Sequence, residues 1–172
     1  CDAALAATRE AVLADEGNSY LPFVGQTRLR RAVAAHAARL SGNPYTESHV
    51  LITAGGLSGI LNVLLTLVEP GDEVVLTDPT YIGLINRVRL AGGVPRLVPF
   101  VQADGQWVLD SDALARAVGP RTRALLLMSP SMPSGGTLDR DDWRAVADLV
   151  RRHGLWLIHD TAMQRLLFDG RP

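Results

Sequence analysis

From residue 50 onward, short apolar runs alternate with segments of helical period, and turn residues separate one from the next. This alternation predicts an α/β fold: a mostly parallel sheet with helices on both faces. The runs read as strands are Val50–Thr53, Glu73–Thr77, Val94–Pro99, Arg123–Met128 and Leu155–Asp160, with Trp107–Leu109 as a short extended piece. None shows the apolar/polar alternation of a half-exposed strand, so they are expected to be buried on both faces. The helices predicted between them are Leu57–Val68, Tyr81–Ala91, a segment capped by Ser111 or Asp112 and running through Val118, and Asp139–His153. The first is apolar all round and suited to burial. Glu69-Pro70-Gly71-Asp72 and Gly92-Gly93 supply the stops.

Residues 1–45 differ, being helical and rich in Ala and Arg. Asp2–Ala14 reads as one helix. Leu29, Val33, His36 or Ala37, and Leu40 lie on one face of a second, which Gly42-Asn43-Pro44 ends. Asn18–Gly25 is a connecting loop carrying two aromatics, Tyr20 and Phe23. The expected division is therefore a helical segment with its loop over 1–45 and an α/β domain over 46–172. The chain starts inside a helix and stops just after a strand-like run, so both ends are expected to be cut.

With 172 residues, 47% apolar and 20% charged, the composition suits a globular chain with a substantial core. The net charge of −1 and the scattered arginines argue against a nucleic-acid partner. No apolar run reaches the roughly 20 residues of a membrane helix, so no membrane association is expected. Cys1 is the only cysteine, which excludes an internal disulfide framework and a Cys-rich metal site. The opening residues lack a signal-peptide pattern, and a cytoplasmic location is the expectation. One count restricts the chemistry: all 17 basic residues are Arg and Lys is absent, so any step needing a side-chain amine is closed to this chain.

Four segments carry candidate chemistry. Thr53-Ala54-Gly55-Gly56-Leu57-Ser58-Gly59 is a Gly-rich turn opening a helix, where free N–H groups and the helix dipole can hold an anion. Glycine at such a turn also serves tight packing, and neither common nucleotide loop is matched. Asp78-Pro79-Thr80-Tyr81 puts an aromatic ring where a strand hands over to a helix, either for stacking on a flat ligand or as ordinary core. Ser129-Pro130-Ser131-Met132-Pro133-Ser134-Gly135-Gly136 is a rigid loop after a strand, with hydroxyl donors. Trp156-Leu157-Ile158-His159-Asp160 ends an apolar strand on a carboxylate, which either caps the next turn or meets a cation. His159 should face away from Asp160 and reads as structural.

In this order and spacing, the segments resemble the class I/II aminotransferases, the fold-type I pyridoxal-phosphate enzymes. Tyr20-Leu21-Pro22-Phe23-Val24-Gly25 with Leu29-Arg30-Arg31-Ala32 resembles an N-terminal motif of the family, and Ile52-Thr53-Ala54-Gly55-Gly56 resembles its phosphate turn. Pro70-Gly71-Asp72-Glu73-Val74, Asp78-Pro79-Thr80-Tyr81, Pro130-Ser131-Met132-Pro133-Ser134-Gly135 and Asp160 match later motifs in sequence. The resemblance implies that residues 46–172 are part of the large, cofactor-binding domain, and that the cofactor is pyridoxal 5'-phosphate.

On that resemblance Asp160 would pair with the pyridine nitrogen and Tyr81 would stack on the ring. The backbone of Gly55, Gly56 and Leu57, with the Ser58 hydroxyl nearby, would hold the phosphate. A tyrosine at the position of Tyr20 reaches the phosphate of a neighbouring subunit, which implies a homodimer. The implied reaction transfers an amino group between an amino acid and a 2-oxo acid. Met132 stands where the family has an asparagine, and Met163 where it has a tyrosine, both of which hydrogen-bond the ring hydroxyl. Leu57 replaces a frequent Ser or Thr, and neither the Schiff-base lysine nor the carboxylate-binding arginine of the family falls within the matched segments. The alternatives are a structural or regulatory protein of the same fold without catalysis, and a lyase or acyltransferase sharing the motifs.

Overall fold

A computed structural model describes residues 1–14 and 19–168. Asn18, at the head of the predicted loop, lies outside the described residues. The chain divides into two compact units, Cys1–Thr53 and Ala54–Pro172.

The first unit holds helices α1 (Asp2–Leu13) and α2 (Thr27–Ser41), followed by a short 3-10 turn, Glu47–His49. None of the residues of α1 is buried, and of α2 only Ala34 is. Arg30 holds the unit together: its Nε donates to the Val50 carbonyl at 2.8 Å and its guanidinium also donates to the Glu47 carbonyl. Arg31 adds an ion pair to the Glu47 carboxylate at 3.1 Å. That arginine and its own backbone hold the Glu47 carboxyl below its ordinary pKa, the backbone bond having the larger effect. The strand expected over residues 50–53 does not form. No strand runs beside it among the described residues, and an extended segment without a ladder partner is not a strand. Its backbone bonds instead to the preceding loop, where the Ile52 N–H reaches the Val24 carbonyl at 3.1 Å. A Cβ at Gly25 would lie 2.5 Å from the Ile52 Cβ, and φ there is +96°, so only glycine allows this approach.

The second unit is the α/β body. Its elements are α3 (Gly56–Leu67), β1 (Glu73–Asp78), α4 (Ile82–Leu90), β2 (Val94–Ala103), β3 (Gln106–Leu109), α5 (Ser111–Ala117), β4 (Thr122–Met128), α6 (Arg140–His153) and β5 (Trp156–Asp160). The sheet order is β3-β2-β1-β4-β5. All neighbours are parallel except β2 and β3, which form an antiparallel hairpin at one edge.

Side chains alternate across a strand, and here each face finds its own core. Val74, Leu76, Ala124, Leu126 and Met128 pack under α3 and α4 with Ile60, Leu64, Leu84 and Val88. Val75, Leu125 and Leu127 pack on the other face with Leu114 of α5 and Val146 and Leu149 of α6. The helices therefore do cover both faces, and the unbroken apolar runs of β1 and β4 follow from having a core on each side.

Three expectations are corrected. β2 and β5 were expected to be buried, yet Val94 and Leu97 are 42% and 46% exposed and Trp156 and Leu157 52% and 39%, because β5, and β2 over Val94–Pro99, have a neighbour on one side only. α3 buries one stripe, Ile60 and Leu64, while Val63 and Leu65 on its outer side are 41% and 59% exposed. The cap of α5 is Asp110 rather than Ser111 or Asp112: its Oδ1 accepts from the Ala113 N–H at 2.7 Å.

α6 begins in a reciprocal capping box. Asp139 Oδ1 accepts from the N–H groups of Asp141 and Asp142 at 2.8 and 2.9 Å, and Asp142 Oδ2 accepts from the Asp139 N–H at 3.0 Å. Removing buried volume should cost more than removing this cap. Leu126→Ala is expected to lower the unfolding free energy by about 2–5 kcal/mol, and Asp139→Ala by about 0.5–2 kcal/mol, both measured by urea denaturation of the 172-residue chain.

Candidate cofactor site

The Gly-rich turn expected to hold a phosphate is the head of α3. Gly55 is its N-cap at φ +86°, a conformation that favours glycine, and no side chain caps the first turn. The Ser58 N–H closes that turn on the Gly55 carbonyl at 3.2 Å, leaving the N–H groups of Gly56 and Leu57 at the positive end of the helix. A Cβ built at Gly55 or Gly56 meets nothing within 4 Å. Open space in front of both residues removes tight packing as the reason for the pair. α3 passes into the start of β1 through a short turn, so the helix runs back along the strand. At about 1.5 Å per residue against about 3.3 Å in a strand, the two have similar lengths. The head of α3 thus lies toward the C-terminal edge of β1.

Two further residues end their elements at that edge. Tyr81 is the N-cap of α4, with a half-buried ring packed on the core beneath α3 and α4. Asp160 is the last residue of β5 and pairs with Met128, whose side chain belongs to that same core, so the carboxylate is on the α3/α4 side. Its Oδ1 caps the following turn, accepting from the Ala162 N–H at 2.9 Å. Both readings of Asp160 therefore stay available: one oxygen caps, and Oδ2 accepts no hydrogen bond from the described residues.

Met132 and Met163 pack on the same core, and together they line a cleft of about 510 Å³ with Pro130, Ser131, Leu166 and Phe168. The loop carrying Met132 is closed by two backbone bonds, Ser131 N–H to the Gly136 carbonyl at 2.7 Å and Gly135 N–H to the Ser131 carbonyl at 2.8 Å. Ser131 is 3% exposed and its Oγ has no hydrogen-bond partner. The loop's composition had suggested hydroxyl donors without singling this one out, since burial is not visible in a Ser-Pro-Ser-Met-Pro-Ser string. Gly55, Gly56, Tyr81 and Asp160 share the α3/α4 side with the cleft but do not line it. Tyr20 belongs to the first unit, where its side chain is fully exposed.

Comparison with known proteins places this geometry in a family. The model for "Aminotransferase class I and II" matches residues 1–171. The chain belongs to that family. It is 41% identical over 153 residues to a probable N-succinyldiaminopimelate aminotransferase of Mycobacterium tuberculosis, a match covering 88% of this chain and 38% of the relative. It is 34% identical over 158 residues to a probable aspartate/prephenate aminotransferase of Thermus aquaticus, covering 92% of this chain and 41% of that protein. The solved structure of the N-succinyldiaminopimelate aminotransferase from Mycobacterium tuberculosis superposes with a TM-score of 0.92 at 39% identity, over 97% of this chain and 44% of that one. The chain thus spans about two-fifths of the length of the curated relatives it matches.

Members of the family depend on pyridoxal 5'-phosphate, and the residues present fit that group unevenly. The uncapped head of α3 with open space before Gly55 and Gly56 suits a phosphate, and a carboxylate with a free oxygen suits a pyridinium. Where the family resemblance expects donors to the ring oxygen, the cleft presents two thioethers, which cannot donate.

His159 packs against α6. It lies on the face opposite Asp160, with its ring 4.6 Å from that of Trp143 at 56°. At the strand edge the residue is exposed, and Trp143 covers part of its ring. That burial pushes its pKa down, against the opposing pull of the Ser129 backbone and Asp160. A depressed imidazole binds its proton less readily in the folded state, so the contribution to stability is full above the ordinary value of about 6.5 and is lost as pH falls through the folded value. The His159 ring resonances should titrate below about 6.5 by NMR, and the urea midpoint should fall less between pH 7.5 and 5.5 in His159→Gln than in the parent chain.

Proposed function

We propose that this chain is the cofactor-gripping part of a pyridoxal-phosphate-dependent aminotransferase, which moves an amino group between an amino acid and a 2-oxo acid. The observation that carries the reading is the uncapped, glycine-opened head of α3 on the same side of the sheet as the free oxygen of Asp160. Two opposite charges of one flat ligand, a phosphate and a protonated ring nitrogen, are matched by an N–H cluster and a carboxylate. Bound there, pyridoxal phosphate supplies an electron sink. Gly55, Gly56, Leu57 and Ser58 hold the phosphate. Asp160 would keep the proton on the ring nitrogen, and the Tyr81 ring would stack on the pyridine.

The proposal extends to a homodimer in the cytoplasm, with Tyr20 serving the partner's site. Its support is that Tyr20 and Phe23 are fully exposed in their unit, and that no helix among the described residues is long and apolar enough to cross a membrane. A test of the reaction is to give the full-length protein, loaded with pyridoxal phosphate, pairs of amino and 2-oxo acids, and to follow a 15N label. Label appearing in the 2-oxo acid's carbon skeleton supports the reading, and its retention in the donor with every pair contradicts it.

Met132 and Met163 favour a second reading, a family member that keeps the fold and not the catalysis. Both donors to the ring oxygen are gone, each a charge-assisted bond of roughly 1.5–3 kcal/mol.

Two outcomes are expected. Treating the 172-residue chain with pyridoxal phosphate and then borohydride should yield no reduced adduct on any side chain, because Lys is absent and only the Cys1 amine remains; peptide mapping checks this. In the full-length protein, Asp160→Asn should weaken pyridoxamine phosphate binding by about tenfold or more, while Met132→Asn should strengthen it, both read by fluorescence titration.

A further inference from the structure

Gly83 is the second residue of α4 and is buried. Its backbone is helical rather than left-handed, so glycine is not needed there for conformation, and alanine is the better helix former. The reason for glycine must be space. A Cβ at Gly83 would lie 2.4 Å from Cε1 of Tyr81, 2.9 Å from Cζ and 3.0 Å from Cδ1. The three nearest atoms all belong to one edge of that ring, so the vacancy left by the missing methyl is filled by Tyr81 and by nothing else as closely. Carbon contacts settle at about 3.5–4 Å, so a methyl at this position would move the ring by about 1 Å.

We propose that Gly83 is the positioning residue for Tyr81, providing the seat that fixes where the ring meets a cofactor. The inference rests on the reading of Tyr81 as the stacking partner of the pyridine. The ring leaves the chain at the N-cap, the last residue before helical geometry begins, where the backbone alone does not dictate its direction. Two things hold it: the core beneath α3 and α4, and the bare backbone of Gly83. Stacking depends on ring offset and spacing, so a displacement of about 1 Å is enough to weaken it.

The experiment uses the full-length protein in four forms: parent, Gly83→Ala, Tyr81→Ala and the double variant. Each is titrated with pyridoxamine 5'-phosphate, which carries no aldehyde and so reports noncovalent binding whether or not a lysine is present. Gly83→Ala should raise the dissociation constant about three- to tenfold, Tyr81→Ala should do the same, and the double variant should bind no more weakly than Tyr81→Ala. The circular dichroism of the bound pyridine should change in Gly83→Ala, while its urea midpoint stays at or above the parent's. A purely structural role predicts the reverse: a lower midpoint with unchanged dichroism, and a Gly83→Ala penalty that persists without the Tyr81 ring. Additive penalties, or Gly83→Ala binding like the parent while Tyr81→Ala binds weakly, would overturn the seat. Unchanged affinity in Tyr81→Ala would instead remove the stacking role itself, and the seat's purpose with it.

Discussion

The second unit depends on one constraint: β1 and β4 run side by side, parallel, with a hydrophobic core on each face. A parallel strand cannot be followed directly by its neighbour, so a helix must carry the chain back each time, and those helices are what cover the faces. Leu76 and Leu126 are buried on one side and Val75 and Leu125 on the other, and neither side can be lost without exposing the middle of the sheet. At the N-terminal end of β1 the same burial encloses Glu73, which pairs with Arg121 at 2.9 Å and Arg96 at 3.8 Å. That ion cluster sits at the opposite edge from the candidate site, where charges can be left unmatched for a ligand.

Parallel strands also deliver their C-terminal ends to one edge. Asp78, Met128 and Asp160 finish there, each handing over to a turn whose geometry is set by its own residues. The site is therefore a by-product of the sheet's direction, assembled from turns far apart in sequence. Within it, local devices do the fine placement: a positive φ at Gly55 opens the head of α3, the paired backbone bonds of Ser131 shape the loop of Met132, and Gly83 makes room for Tyr81.

The chemistry of the site is divided. In the proposed reading a phosphate and a ring nitrogen would each meet a polar partner of the right kind, whereas Met132 and Met163 make the wall between Pro130 and Phe168 apolar. Buried beside them, the unpartnered Ser131 hydroxyl is the one polar side-chain atom of the loop without a bond.

Much of this was legible in the residues themselves. The unbroken apolar runs around Val74 and Leu126 announced parallel strands, Gly42 and Gly92-Gly93 ended helices as read, and the ordered motifs from Gly55 to Asp160 identified the family. These signals are local, since propensity, capping and spacing are properties of neighbouring residues. What the tertiary structure alone decided depends on partners remote in sequence. Residues 50–53 have strand composition but no strand beside them among the described residues, and the exposure of Trp156 follows from the sheet order. Ser131 looks like any loop serine until burial removes its solvent. Gly83 looks like a weak point in a helix until the Tyr81 ring is seen lying where its side chain would be. Hydrogen bonds and van der Waals contacts act through space, and a string of residues records only which atoms are available for them.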